Sequence, residues 1–141
     1  MRSDSLAPIL LVEDNSDDIE LTRDALTDNG ILNPLIVTRD GVEALAYLEA
    51  ADSLPRVVLL DLNMPRLGGI EVLRRIRATP RTSHLPVVIL TTSDEDRDLV
   101  DAYELGVNSY IQKPVAFSEF HRVVRMLGLY WLLYNKLPET R

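Results

Sequence analysis

Val57-Val58-Leu59-Leu60-Asp61-Leu62-Asn63-Met64-Pro65 decides the fold. The run Val57 to Leu60 is wholly apolar, too short for a helix, and closed by a carboxylate, with a proline at position 65. A run of this kind reads as a strand buried on both faces, as in a parallel sheet. Working outward, Ile9 to Val12 and Val87 to Leu90 have the same character, and Leu35 to Thr38 and Ser109 to Gln112 are weaker strands. Helical patterns lie between them. Asp17 to Asp28 carries Ile19, Leu21, Ala25 and Leu26, and Gly41 to Ala50 carries Val42, Leu45, Ala46 and Leu48. Ile70 to Ala78 carries Val72, Leu73 and Ile76, and Asp94 to Leu105 carries Leu99, Val100, Ala102 and Tyr103, with Gly106 as its C′ stop. A last helix is expected over Ser118 to Asn135, with Ser118 as its cap. Strand and helix alternating in this way predict an α/β fold with a doubly wound sheet.

Composition limits what such a chain can do. Its 141 residues amount to one domain, with 46% hydrophobic and 26% charged residues. Without cysteine it has no disulfide, thiolate metal site or cysteine nucleophile, in keeping with a cytoplasmic location. Met1 to Ala7 lack the apolar centre of a secretion signal, and no run approaches a membrane span. A net charge of −7 argues against a nucleic-acid surface. A single domain over residues 8–137 is expected, with flexible tails at 1–7 and 138–141.

The strands matter for what ends them. Glu13 and Asp14 follow the first, Asp61 the central one, Thr91 ends another and Lys113 follows the last. Right-handed crossovers put these ends on one side of the sheet, where α/β folds bind ligands. Three carboxylates, a hydroxyl and an ammonium are thereby expected in one pocket. Like charges so close oppose one another's ionisation, and a hard cation such as Mg²⁺ relieves the conflict. Cation and ammonium together would balance a phosphoryl group, with Thr91 and backbone N–H groups donating to it. Asp61, at the central strand, is the candidate acceptor. Taken singly, each residue has a plain structural reading. An acidic pair before a helix complements its dipole, and an Asp after a strand is a common turn residue. Together, the five at corresponding strand ends are far more specific.

These residues resemble the receiver domain of bacterial response regulators over roughly Pro8 to Gly128. The matching stretches are Leu11-Val12-Glu13-Asp14-Asn15, Leu60-Asp61-Leu62-Asn63-Met64-Pro65 with Gly68-Gly69, Leu90-Thr91-Thr92, and Tyr110-Ile111-Gln112-Lys113-Pro114. The resemblance implies a flavodoxin-like sheet of five strands in order 2-1-3-4-5 with five helices. It implies that Asp61 is phosphorylated, that Asp14 and Asp61 bind Mg²⁺ directly and that Glu13 acts through a bound water. Asn63 would supply its backbone carbonyl, leaving its side chain free to vary. Thr91 and Lys113 would be the switch hydroxyl and phosphoryl-binding lysine, and Tyr110 the aromatic that turns inward. Such receivers catalyse their own phosphorylation and dephosphorylation rather than acting as enzymes on other substrates.

The ending Gly128 to Pro138 and the segment Ile31-Leu32-Asn33-Pro34-Leu35 look like the single-domain regulators paired with phytochrome-type histidine kinases. The kinase is expected to dock on the first helix, with Ser16, Ile19, Glu20 and Arg23 outward or partly so. Phe120, Val123, Val124, Leu127, Trp131 and Tyr134 make a core-facing stripe on the last helix. Beyond it, Leu129, Tyr130, Leu132, Leu133 and Leu137 add apolar surface, which predicts a homodimer through this helix and its neighbouring surface. Three other readings are weaker. A Ser–His–Asp hydrolase needs a histidine near the strand ends, and His84 and His121 lie elsewhere. A Mg²⁺-dependent aspartyl-phosphate phosphatase usually has a second acid two residues after the nucleophile, where Asn63 stands. A degenerate receiver used only for binding would not need the intact acidic, hydroxyl and lysine set.

Overall fold

The computed structural model describes residues 7–64, 66–91 and 96–112, together with Arg122 and Arg125. The elements run β1 (Ile9–Val12), α1 (Ser16–Asp28), β2 (Leu35–Thr38), α2 (Gly41–Ala50), β3 (Val57–Leu60), α3 (Gly69–Ala78), a 3₁₀ turn (Pro80–Thr82), β4 (Val87–Thr91), α4 (Asp96–Glu104) and β5 (Ser109–Gln112). All five strands are parallel, in the order β2-β1-β3-β4-β5. Four α-helices lie among the described residues. The expected start of α4 at Asp94 and most of the last helix lie outside them, though Arg122 and Arg125 are helical and exposed.

Alternation along the strands divides the core in two. Leu10, Val12, Val58, Leu60, Val87 and Ile89 face α2, α3 and α4, meeting Ala44, Leu48, Val72, Leu73, Ile76 and Ala102. Ile9, Leu11, Val57, Leu59, Val88 and Leu90 face the other way, toward Ile19, Ala25 and Leu26 of α1. Both faces being covered explains why the three central strands read as continuous apolar runs. Truncating a residue of these layers, such as Leu60→Ala, costs about 2–5 kcal/mol. Ile19, expected on the outward face of α1, is 3% exposed and belongs to the core. It shares one helical face with the buried Thr22, Ala25 and Leu26, three, six and seven residues on, so the helix turns it to the sheet. Conversely, Leu99, Val100 and Tyr103 of α4 are exposed.

Register levels the strand ends. Val12 pairs with Thr38 on one side and Leu60 on the other, and Leu60 pairs with Ile89. Caps fix where the helices start and stop. Asn15 and Asp40 accept the Asp18 and Glu43 N–H groups at 2.9 Å each, opening α1 and α2. At the end of α4, Gly106 has φ +74°. Gly106 N–H donates to Tyr103 and Val107 N–H to Ala102, a Schellman stop with Val107 buried against Ala102.

Candidate functional site

Because Val12 and Leu60 are level and adjacent, the residues after them emerge side by side. The ladder continues one step past the strands: Asp61 N–H donates to the Val12 carbonyl at 3.0 Å and Glu13 N–H to the Thr38 carbonyl at 2.9 Å. Beyond that row, Glu13, Asp14 and Asp61 each offer a carboxylate oxygen within 4.8 Å of the others. Glu13 and Asp61 are 3% and 6% exposed, while Asp14 is open to solvent. At this separation two full charges repel by about 3 kcal/mol under an effective dielectric of 20. Polar neighbours hold the geometry. Glu13 Oε2 accepts the Asn15 N–H at 3.2 Å, and Asp61 Oδ1 accepts the Asn63 N–H at 3.3 Å.

The donor set fits a hard divalent cation. It is all oxygen, partly open to water, and free of histidine and cysteine. No other group of three such side chains converges this way among the described residues. Packing of α3 supports the acid from below. A β-carbon on Gly69 would stand 2.5 Å from the Asp61 carbonyl oxygen and 2.7 Å from Leu62 Cα, so only glycine lets α3 begin this close to the site.

Thr91 ends β4, fully buried. Since Leu60 pairs with Ile89, Thr91 stands one residue further along its strand than Asp61 does along β3. The Asn63 side chain reaches it, with Nδ2 donating to Thr91 Oγ1 at 3.5 Å. The reading from sequence gave Asn63 a backbone part only and did not anticipate this contact. Tyr110 is level with Ile89 and packs on the α2–α4 face, the face that carries Ile89. Lys113 follows β5 directly and lies outside the described residues, as do Thr92, Ser93 and His121. His84 stands in the turn before β4, at the opposite end of the sheet from the acids.

Three residues beside the site were missed from sequence. Arg39 Nη1 donates to the Asp14 carbonyl at 3.3 Å and to Ser16 Oγ at 3.4 Å. Arg66 donates from Nε and Nη2 to Asp40 Oδ2 at 3.0 and 2.7 Å. The signal for Asp40 was present, an Asp three residues before Glu43 at a helix start.

The profile of the response regulator receiver domain matches residues 9–125. The chain belongs to the response regulator receiver family. Among curated relatives, this receiver is 44% identical over 134 residues to the probable methanogenesis regulatory protein FilR2 of Methanothrix harundinacea, covering 92% of this chain and 86% of that one. It is 38% identical over 135 residues to response regulator Rcp1 of Synechocystis, covering 92% of each. Among solved structures it resembles the phosphorylated cyanobacterial phytochrome response regulator RcpA, with a TM-score of 0.86 and 39% identity over 94% of this chain and 99% of that one. A Mn²⁺-bound form of Rcp1 matches with a TM-score of 0.85 and 37% identity, over 94% and 99% of the two chains. The receiver is therefore a signalling domain, and its acidic trio offers an oxygen donor set that fits a divalent cation. No helix among the described residues is long and apolar enough to cross a membrane.

Proposed function

We propose that this receiver is a cytoplasmic single-domain response regulator that accepts a phosphoryl group on Asp61 from a phytochrome-type histidine kinase. The observation that carries the reading is the convergence of Glu13, Asp14 and Asp61 within 4.8 Å, with Asn63 bonded both to Asp61 and to the buried hydroxyl of Thr91. Likeness to Rcp1 and to the phytochrome regulator RcpA supports the choice of kinase.

Asp14, Asp61 and the Asn63 backbone carbonyl would hold Mg²⁺ directly, with Glu13 acting through a water. When bound, the cation supplies neutralisation of the charge on the trio and on the incoming phosphoryl group. An Asp61 oxygen attacks phosphorus, the phosphorus–nitrogen bond to the kinase histidine breaks, and the imidazole nitrogen keeps the electron pair. Thr91 donates its hydroxyl to the new phosphoryl oxygens and Lys113 pairs with their charge. Asn63 must release Thr91 as this happens, and Tyr110 then fills the space Thr91 leaves. Loss of the group reverses the chemistry with water: the acyl-phosphate bond breaks, giving inorganic phosphate and the free carboxylate. Both reactions use the receiver's own residues.

The kinase would dock against the exposed part of α1, with Ser16, Glu20 and Arg23 available and Ile19 not. The signal would leave through changed protein contacts, with a homodimer formed through Leu129, Tyr130, Leu132 and Leu133 and neighbouring surface. That dimer is expected as a doubled mass in light scattering at tens of micromolar; a monomer with and without a phosphoryl analogue refutes it.

The deciding measurement is intact mass after incubation with acetyl phosphate and Mg²⁺. One phosphoryl adduct is expected, absent from Asp61→Asn and absent without metal. Sustained turnover of an added phosphomonoester would instead favour the phosphatase reading, and no adduct from either acetyl phosphate or a kinase would leave a binding module.

A further inference from the structure

The two loops that carry the acids are joined at their base by the last ladder bond. Asp61 N–H to Val12 carbonyl, at 3.0 Å, closes the row between β1 and β3. Past it, Glu13 and Asp14 go into one loop and Asp61 and Asn63 into another, while their charges push the loops apart. Contacts that fix the spacing of such loops favour binding of a cation between them.

We propose that the loop between β2 and α2, through Arg39 and Asp40, is a strap that fixes the spacing of the two acid-bearing loops and so sets the affinity for the divalent cation. The inference rests on the metal reading of the acidic trio.

One hand of the strap is Arg39. Its guanidinium donates to the Asp14 carbonyl at 3.3 Å and to Ser16 Oγ from both terminal nitrogens, at 3.4 and 3.5 Å. These contacts bracket Asn15, the turn from the acidic pair into α1. The Arg39 backbone is itself tied down, its N–H donating to Glu43 Oε1 at 2.7 Å.

The other hand is Asp40. Its Oδ1 is committed to the Glu43 N–H at 2.9 Å, which anchors the carboxylate to the N-terminus of α2. Its Oδ2 receives both Nε and Nη2 of Arg66, at 3.0 and 2.7 Å. The Asp40 side chain is 16% exposed, less than the 41% of Glu71 in the α3 pairs, while Arg66 is as open to solvent as Arg75. Arg66 lies in the loop after Asp61 and Asn63, and its backbone sits at φ +69°. That left-handed conformation costs a non-glycine residue roughly 1–2 kcal/mol and persists where surrounding contacts enforce it. The Asp40 carboxylate is one contact that holds the Arg66 side chain in this loop. The chain from Asp14 through Arg39, Asp40 and Arg66 is continuous and links the two loops through contacts to backbone and to one another rather than to the acidic side chains.

Arg39, Asp40 and Arg66 are positioning residues. Their loss should move metal affinity rather than the maximal rate. Asp40→Asn keeps the α2 cap, since Asn caps as well as Asp, but removes the ion pair. Arg66→Gly removes the pair while relieving the left-handed strain. Titration calorimetry with Mg²⁺ should show the dissociation constant rising by about tenfold in each, the usual effect of removing a group that orients metal ligands. Phosphorylation by acetyl phosphate should need correspondingly more Mg²⁺ yet reach the same plateau rate. The double variant should be no worse than either single, because one contact is lost in all three. Glu71→Gln, which breaks the α3 pairs with Arg74 and Arg75, is the control and should change neither quantity. Affinity within about twofold of wild type in both variants, whatever happens to melting temperature, overturns the strap and leaves a brace of stability only. Additive losses in the double variant also overturn it. If wild type itself binds no Mg²⁺ and takes no phosphoryl group, the metal reading fails with it, and the two failures are told apart by that first titration.

Discussion

The two ends of the sheet handle charge in opposite ways. At the carboxyl ends of the strands, three acids crowd together. At the amino ends, two arginines each grip backbone carbonyls. Arg77 donates to the carbonyls of Ser83, Leu85, Leu105 and Gly106, at 3.2, 2.7, 2.8 and 2.9 Å. Arg81 donates to those of Leu48, Ala51 and Asp52, closing the end of α2. At the ends of α2 and α4 a cation thus meets the negative end of a helix dipole, an arrangement that stabilises by itself. The acidic end instead gathers like charges that oppose one another. One end is held by its own cation-to-carbonyl contacts, and the other presents oxygens that fit a cation.

The largest break in that contrast is Asp61→Asn, expected to abolish the phosphoryl adduct altogether while leaving the fold intact or slightly firmer, as mass spectrometry and thermal melting would read. At the opposite end, Arg77→Met should do the reverse. Burial already pulls the Arg77 guanidinium below its ordinary pKa, and losing its donors leaves several carbonyls short, at about 3 kcal/mol in urea denaturation. Mg²⁺ affinity should not change. Gly69→Ala joins the two kinds of effect. Its methyl group would press on the Asp61 carbonyl, lowering stability by roughly 1–3 kcal/mol and slowing phosphorylation by acetyl phosphate.

Smaller effects sharpen the comparison. Mg²⁺ at ten times its dissociation constant should stabilise the wild type by about 1.4 kcal/mol, and Asp14→Asn should lose most of that gain in a melting experiment. The least is expected from acid titration of Asp40. The Glu43 N–H holds its carboxyl below the usual range, partial burial opposes this, and Arg66 adds to it. With the folded pKa depressed, the stability contribution is complete above about pH 4 and fades as pH falls through the folded value. Asp40→Asn should therefore flatten the acid limb of stability and leave the curve above about pH 5 unchanged in shape.

What could be read from the amino acids differed along the chain for physical reasons. The bounds of β1, β2, β3, β5 and α2 were legible, because apolar runs and one capped helix leave little choice. So was the meeting of Glu13, Asp14 and Asp61, since a parallel sheet sends its strand ends one way. Ile19 was misread because a docking role was laid over a helix whose own spacing already buried it. The Asn63 contact with Thr91 and the Arg39–Asp40–Arg66 chain were not legible. They join residues 23 to 28 positions apart, and such pairings depend on loop geometry that no local pattern encodes.

Level strand ends also govern how this chain can change length. With Val12, Thr38 and Leu60 in one row, a residue inserted into any of those strands would advance one arm of the site by about 3.3 Å and turn its side chains to the other face. The turns at the amino ends, such as residues 51–56 before β3, lie upstream of a strand whose pairing fixes its own register. Insertions and deletions can accumulate there, while the spacing from each strand to its terminal acid or hydroxyl must stay constant for the site to exist at all.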